Sequence, residues 1–143
     1  MKGKRLLSYA LRLLGRRDYT RAEMLAHLMK MGDCPEEVEN VIEFLEKKRY
    51  LNDEQLAVRL IEEQLGKGRG LWRIRALLER RGLKHELIDK LMDSFDFEKE
   101  LRAARDYLRK RLAQRRKISV LTLRSRGFSS ETMERLRKFY HDS

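Results

Sequence analysis

Three glycines set the rhythm of this chain. Gly32, Gly82 and Gly127 are separated by 50 and 45 residues, and apolar side chains keep step around each of them. Four positions before the glycine stands a leucine every time (Leu28, Leu78, Leu123). Six positions after come Val38, Ile88 and Met133, nine after come Val41, Leu91 and Leu136, and thirteen after come Leu45, Phe95 and Tyr140. A period of this length marks a chain written as one unit several times, and a unit so small buries too little surface alone. Three units, over residues 4–51, 52–95 and 96–142, must therefore stack.

Within each unit the apolar spacing is helical. Leu6, Leu7, Ala10, Leu11, Leu13 and Leu14 form one broad stripe, and Arg16-Arg17-Asp18-Tyr19 makes the turn after it. Thr20 with Glu23 is a capping box that opens a second helix, which is expected to end at Gly32. Pro35 opens a third at the position where its missing N–H costs nothing, with Glu36 and Glu37 in the first turn. That helix directs Val38, Val41, Ile42, Phe44 and Leu45 inward and stops near Arg49-Tyr50. Asn52 caps a fourth, whose buried face is Leu56, Ala57, Leu60, Ile61 and Leu65. A short arginine-rich helix follows and ends at Gly82; the next is expected over about 84–94. In the last unit helices are expected over about 97–113, with Leu101, Ala104, Leu108 and Leu112 as its face, over about 117–126, and from a cap at Ser129 or Ser130. With no strand signal, the fold class is all-α: three tandem three-helix repeats in a curved, elongated array.

Composition narrows the function classes. Forty-one per cent apolar residues and a single proline argue for a folded core despite 40% charged residues. No apolar run approaches the eighteen or so residues that cross a bilayer, and a cytoplasmic location without membrane contact is expected. Cys34 is the only cysteine, so an internal disulfide is impossible. Its position before Pro35 reads as structural. His27, His85 and His141 lack ligand spacing, and the Asp53-Glu54 pair has no histidine support. Neither a metal, a cofactor nor a catalytic residue is expected, and the protein is not read as an enzyme.

Charge is distributed unevenly. The chain carries +11, of which residues 66–81 supply +5 and residues 102–126 supply +9, so the remainder sums to −3. Arg16 and Arg17, Lys67 and Arg69, and Arg115, Arg116 and Lys117 each fall in the turn between the first and second helix of a unit. Regular stacking would set these turns in a basic row, suited to a phosphate-bearing or acidic partner. Arg73, Arg75, Arg80, Arg81, Arg124 and Arg126 on or beside the second helices complete the candidate contact set. A helix-turn-helix would place third helices in the major groove, but here those helices are acidic (Glu36, Glu37, Glu39, Glu43 and Glu46; Glu86, Asp89 and Asp93), which disfavours base reading. Trp72 reads as a staple packed over its neighbours, the alternative being a platform for an unpaired base. Gly66-Lys67-Gly68-Arg69-Gly70 has the look of a phosphate loop, yet it lacks the Gly-Lys-Ser/Thr ending and follows a helix.

Several ordered strings carry a family resemblance: Tyr19-Thr20-Arg21-Ala22-Glu23; Tyr50-Leu51-Asn52-Asp53-Glu54 with Ala57; Gly68-Arg69-Gly70 with Arg73-Ile74-Arg75, Leu78 and Arg81-Gly82; and Arg126-Gly127-Phe128. Together they resemble RecX, the bacterial regulator of the RecA recombinase, over nearly the whole chain. The resemblance implies a modulator that binds in the helical groove of the RecA filament on DNA. There it limits filament extension and restrains ATPase, strand exchange and coprotease activity in DNA repair and the SOS response. The implied partners are the RecA filament and, weakly and without sequence preference, single- and double-stranded DNA, met by a monomer. The alternatives are a stand-alone non-sequence-specific DNA-binding helical module and a helical scaffold for an acidic protein.

Overall fold

The computed structural model describes residues 2–31, 34–114 and 120–140. Among the described residues every regular element is a helix: α1 (Lys2–Leu14), α2 (Arg21–Met29), α3 (Pro35–Lys47), α4 (Asp53–Gly66), α5 (Leu71–Arg80), α6 (His85–Asp93), α7 (Phe97–Ala113), α8 (Val120–Ser125) and α9 (Ser130–Tyr140). The third helix of the last repeat is capped by Ser129, whose hydroxyl accepts the Thr132 amide at 3.3 Å. The helix expected from about residue 117 begins at Val120, and 117–119 lie outside the described residues. So does Gly32; α2 closes at Lys30, whose amide bonds the Leu28 carbonyl.

The predicted caps explain where helices start. Thr20 Oγ1 accepts the Glu23 amide at 3.1 Å while the Glu23 carboxylate accepts the Thr20 amide at 2.9 Å, so two orphan donors of α2 are satisfied reciprocally. Asn52 accepts the Gln55 amide at 3.0 Å and starts α4 in the same way. Gly82 and Gly127 adopt φ +81° and +87°, left-handed values that end α5 and α8 and that a Cβ would disfavour.

Three core clusters follow one another along the chain, each drawn from three consecutive helices. The residue four before each glycine is buried in every one: Leu28, Leu78 and Leu123. Val38 and Ile88, six after, are fully buried too. Ala103 of α7 packs against both the second and the third cluster, so these cores are continuous across the junction. Three residues expected inside are instead surface: Leu11 is 42%, Phe44 39% and Leu112 55% exposed. The reason is geometric. Leu11 and Phe44 lie at the margin of a broad apolar stripe, and a helix in a three-helix layer faces the core with only about a third of its circumference. Leu112 keeps the phase of its stripe but lies in the last turn of α7, beyond the last core residue Leu108.

Candidate interaction surface

The arginine-rich helix α5 is a strut between two junctions. At its N-terminus the backbone amides are committed to the third repeat. Gly70 N–H donates to the Arg126 carbonyl at 2.9 Å, Leu71 N–H to the Glu100 carboxylate at 2.7 Å, and Trp72 N–H to the Gly127 carbonyl at 3.0 Å. Glycine is required at position 70 because a Cβ there would lie 2.3 Å from the backbone N and Cα of Phe128. These bonds account for the absence of a phosphate cradle. The donors that such a loop would aim at an anion are already used to dock α5 on the α8–α9 turn.

At the other end, Arg81 ties α5 to the first repeat. Its Nε and Nη2 donate to the two carboxylate oxygens of Glu23 at 2.8 and 3.0 Å, Nη2 also reaches the Asp18 carbonyl at 3.2 Å, and its own carbonyl accepts Thr20 Oγ1–H at 2.7 Å. Arg126 makes the same move one repeat later. Its Nε donates to the Gly68 carbonyl at 3.0 Å and Nη2 to the Lys67 carbonyl at 2.5 Å, with the guanidinium 4.8 Å above the Tyr107 ring. Each arginine stands one residue before its repeat's glycine and reaches back onto the first-to-second-helix turn of the preceding repeat. In the first repeat that position is Met31, 40% exposed.

Electrostatics at the first junction follow from burial and pairing together. Burial pushes the Glu23 carboxyl up, but the Arg81 hydrogen bonds, the Thr20 amide and the charges of Arg81 and Arg17 outweigh it and hold the group below the usual carboxylate range. Asp53 goes the other way. Burial raises it, and the Arg21 amide that it accepts at 2.8 Å offsets that only in part.

The thirteen candidate cations are thus sorted by structure. Arg81 and Arg126 hold junctions. Arg69 Nη1 donates to Gln64 at 2.5 Å, and Arg75 pairs with Glu79 at 3.2 Å and Asp89 at 2.5 Å. Arg17 lies 3.9 Å over the Tyr19 ring and 3.9 Å from Glu23. Arg16, Lys67, Arg73, Arg80 and Arg124 are exposed, with no ion pair among the described residues; Arg115, Arg116 and Lys117 lie outside them. Arg73 and Arg80 are seven positions apart, so they share the outward face of α5, about 10 Å from each other along the axis. Trp72 does not act as a buried staple. It is 66% exposed beside Arg73, while its backbone amide is bonded to the Gly127 carbonyl.

Sequence reading passes over two groups. Glu100 is fully buried, although it falls in phase with Ala104 and Leu108; an acid inside an apolar stripe is the available signal. Arg102, Arg109 and Lys110 are exposed on α7, where the sequence shows their summed charge without singling them out. Among the described residues no set of side chains is grouped to hold a metal ion, and no helix is long and apolar enough to cross a membrane.

Known proteins share this arrangement. A family profile for RecX, first three-helix domain, matches residues 7–45. The regulatory protein RecX of Deinococcus radiodurans is 39% identical over 106 residues, which cover 74% of this chain and 50% of that protein. That of Thermus thermophilus is 33% identical over 127 residues, covering 88% of this chain and 85% of its own. The chain spans about half the length of the Deinococcus relative and 55% of that from Chromohalobacter salexigens. Among solved structures, RecX from Lactobacillus salivarius superposes with a TM-score of 0.82 at 15% identity over 95% of this chain and 94% of its own. A second crystal structure of regulatory protein RecX gives 0.74 at 20% identity, over 95% of this chain and 71% of that one. These last two likenesses speak for the fold, and the Thermus relative, matched along most of its length, speaks for descent: the chain belongs to the RecX family.

Proposed function

We propose that this chain regulates the RecA recombinase by binding in the helical groove of the RecA–DNA filament. In that position it limits filament extension and restrains ATPase, strand exchange and coprotease activity in DNA repair and the SOS response. It acts as a monomeric cytoplasmic binding protein rather than as an enzyme. The observation that carries this reading is the outward face of α5, where Trp72, Arg73 and Arg80 project from a helix tied at both ends to neighbouring repeats. A contact face on such a strut loses little conformational freedom on binding, which favours affinity. An aromatic and arginines together are the residue types that dominate protein interfaces. Arg16, Lys67 and Arg124 are exposed as well, and with the sequence charges of Arg115, Arg116 and Lys117 they add to the attraction for acidic protein surface and DNA phosphate. Family membership supports a regulatory role, since the relatives carry the name regulatory protein RecX.

The test is the single-stranded-DNA-dependent ATPase of RecA from the same organism, with this chain titrated in. Inhibition well below one chain per RecA is expected for action on a polymer. A stand-alone DNA-binding module is the second reading, favoured by the exposed Arg102, Arg109 and Lys110 on α7. With about six phosphates neutralised, its affinity for single strands would fall with a log–log salt slope near −4. Ready binding to bare DNA with no effect on the ATPase at equimolar protein would select that reading.

A further inference from the structure

A second surface lies beside the first junction, on the α1–α2 turn whose Asp18 carbonyl Arg81 also reaches. The α1–α2 turn, the α3–α4 link and the N-terminal half of α4 enclose an open cleft of about 600 Å³, within the range of ligand and peptide sites. Its apolar floor is Leu56, and its wall carries two apolar side chains left in solvent, Tyr50 at 54% and Val58 at 44% exposure.

At the rim stands Arg49, with φ +61°. It is the single non-glycine residue at positive φ among the described residues; Gly68, Gly82 and Gly127 fill the other such positions. The conformation itself is imposed by the end of α3, where the Tyr50 and Leu51 amides both return to the Leu45 carbonyl, at 2.8 and 3.2 Å. A helix stop of this kind is served best by glycine, so an arginine here is held against backbone preference. A residue retained in a sparsely populated conformation points to a use for its side chain. The charges around it sharpen that use. Arg59 is paired with Asp18 across the cleft and lies 3.8 Å from Glu63, and Glu62 lies 3.5 Å from Lys99. Arg49 is exposed and has no ion pair among the described residues, so it is the one uncompensated charge in the cleft.

We infer that this cleft is a second docking site, which receives a protein segment carrying a carboxylate beside an apolar side chain. The carboxylate pairs with Arg49, and the apolar group packs on Tyr50, Leu56 and Val58. A polyphosphate backbone fits poorly, because Arg49 is the one unpaired cation in the cleft and Arg59 is already taken by Asp18, so a second phosphate would find no partner. A single acid next to an apolar anchor matches both the lone cation and the exposed apolar wall. The inference rests on the proposed filament partner: the segment belongs to the recombinase, and the chain grips it at two places, α5 and this cleft.

The test uses the full chain with Arg49→Gly, Arg49→Asn and Tyr50→Ala, and two probes, the RecA filament on single-stranded DNA and the same DNA bare. Arg49→Gly removes the guanidinium while relieving the backbone, so its Tm should rise by about 2 °C as its filament affinity falls. Asn tolerates the left-handed conformation and removes the charge alone. All three variants should bind the filament roughly thirty-fold more weakly, the effect expected of a truncated interface anchor, and bare DNA as the wild type does. Wild-type filament binding by Arg49→Gly and Tyr50→Ala overturns the inference and leaves the proposed function standing. Equal losses on bare DNA would assign the cleft to nucleic acid and overturn it as well. A wild-type chain that fails to bind the filament removes the proposed function and this site with it.

Discussion

The Glu100 carboxylate accepts the Leu71 amide at 2.7 Å, so a fully buried acid from α7 closes the N-terminus of a helix in the preceding repeat. The same carboxylate accepts the hydroxyls of Ser129 and Thr132 at the start of α9. Two helix N-termini thus converge on one negative charge, which the helix dipoles favour. Glu100→Ala leaves two amides, those of Leu71 and Ser129, and two hydroxyls without that acceptor and should cost about 3 kcal/mol. Urea unfolding followed by Trp72 fluorescence and by circular dichroism should then give separated transitions, because the third repeat is uncoupled first. A single coincident transition at the wild-type midpoint would contradict this.

Gly70 and Gly66 lie four positions apart and should respond oppositely to alanine. A methyl at Gly70 meets the Phe128 backbone at 2.3 Å, and backbone cannot rotate away, so the α8–α9 turn must lift off α5. Overpacking of this kind costs about 2–3 kcal/mol. Gly66 ends α4 with nothing within 4 Å of an added Cβ, and Gly66→Ala should stabilise by about 0.5 kcal/mol. Thermal melts of the two variants decide the matter.

The junction between the first two repeats should weaken in acid. Glu23 is held below the usual carboxylate range, so its pairing stabilises the fold fully above that range and is lost as pH falls through its folded value. Asp53, raised by burial, contributes with the opposite sign: its effect is most favourable at low pH and declines as pH rises through its folded value. Glu23→Gln should therefore cost about 2 kcal/mol at pH 7 and progressively less below pH ~4.5. Stability curves of wild type and variant that stay parallel down to pH 3 would exclude the Glu23–Arg81 pair as the cause.

Charge reversal should separate partner-facing arginines from those already engaged. Arg73→Glu with Arg80→Glu is expected to abolish filament binding while the helical circular dichroism spectrum is unchanged. Arg75→Glu, which replaces the ion pairs to Glu79 and Asp89 by local like-charge repulsion, should leave most of the binding in place. The reverse order of effects would move the contact face to the α6 side of α5.

The helical array is legible because its signals are local. Thr20 with Glu23, Asn52 with Gln55, and Pro35 announce helix starts within one turn of chain, and Leu28, Leu78 and Leu123 are buried as their common register requires. Trp72 misleads for the same reason. Its position at a helix start suggests packing over its own helix, and nothing nearby in sequence reveals that this helix start is docked on the Arg126–Gly127 backbone with the indole left in solvent.

What the sequence determined by itself is therefore the repeat, its helices and the total of positive charge. Tertiary structure alone decided which cations remain available. Arg81 with Glu23 and Arg126 with Gly68 each join residues 58 positions apart, and Glu100 is committed to Leu71 across 29. A guanidinium is free or spent according to which carbonyl or carboxylate lies within about 3 Å, and such distances are set by how repeats stack, not by the neighbours of an arginine in the chain.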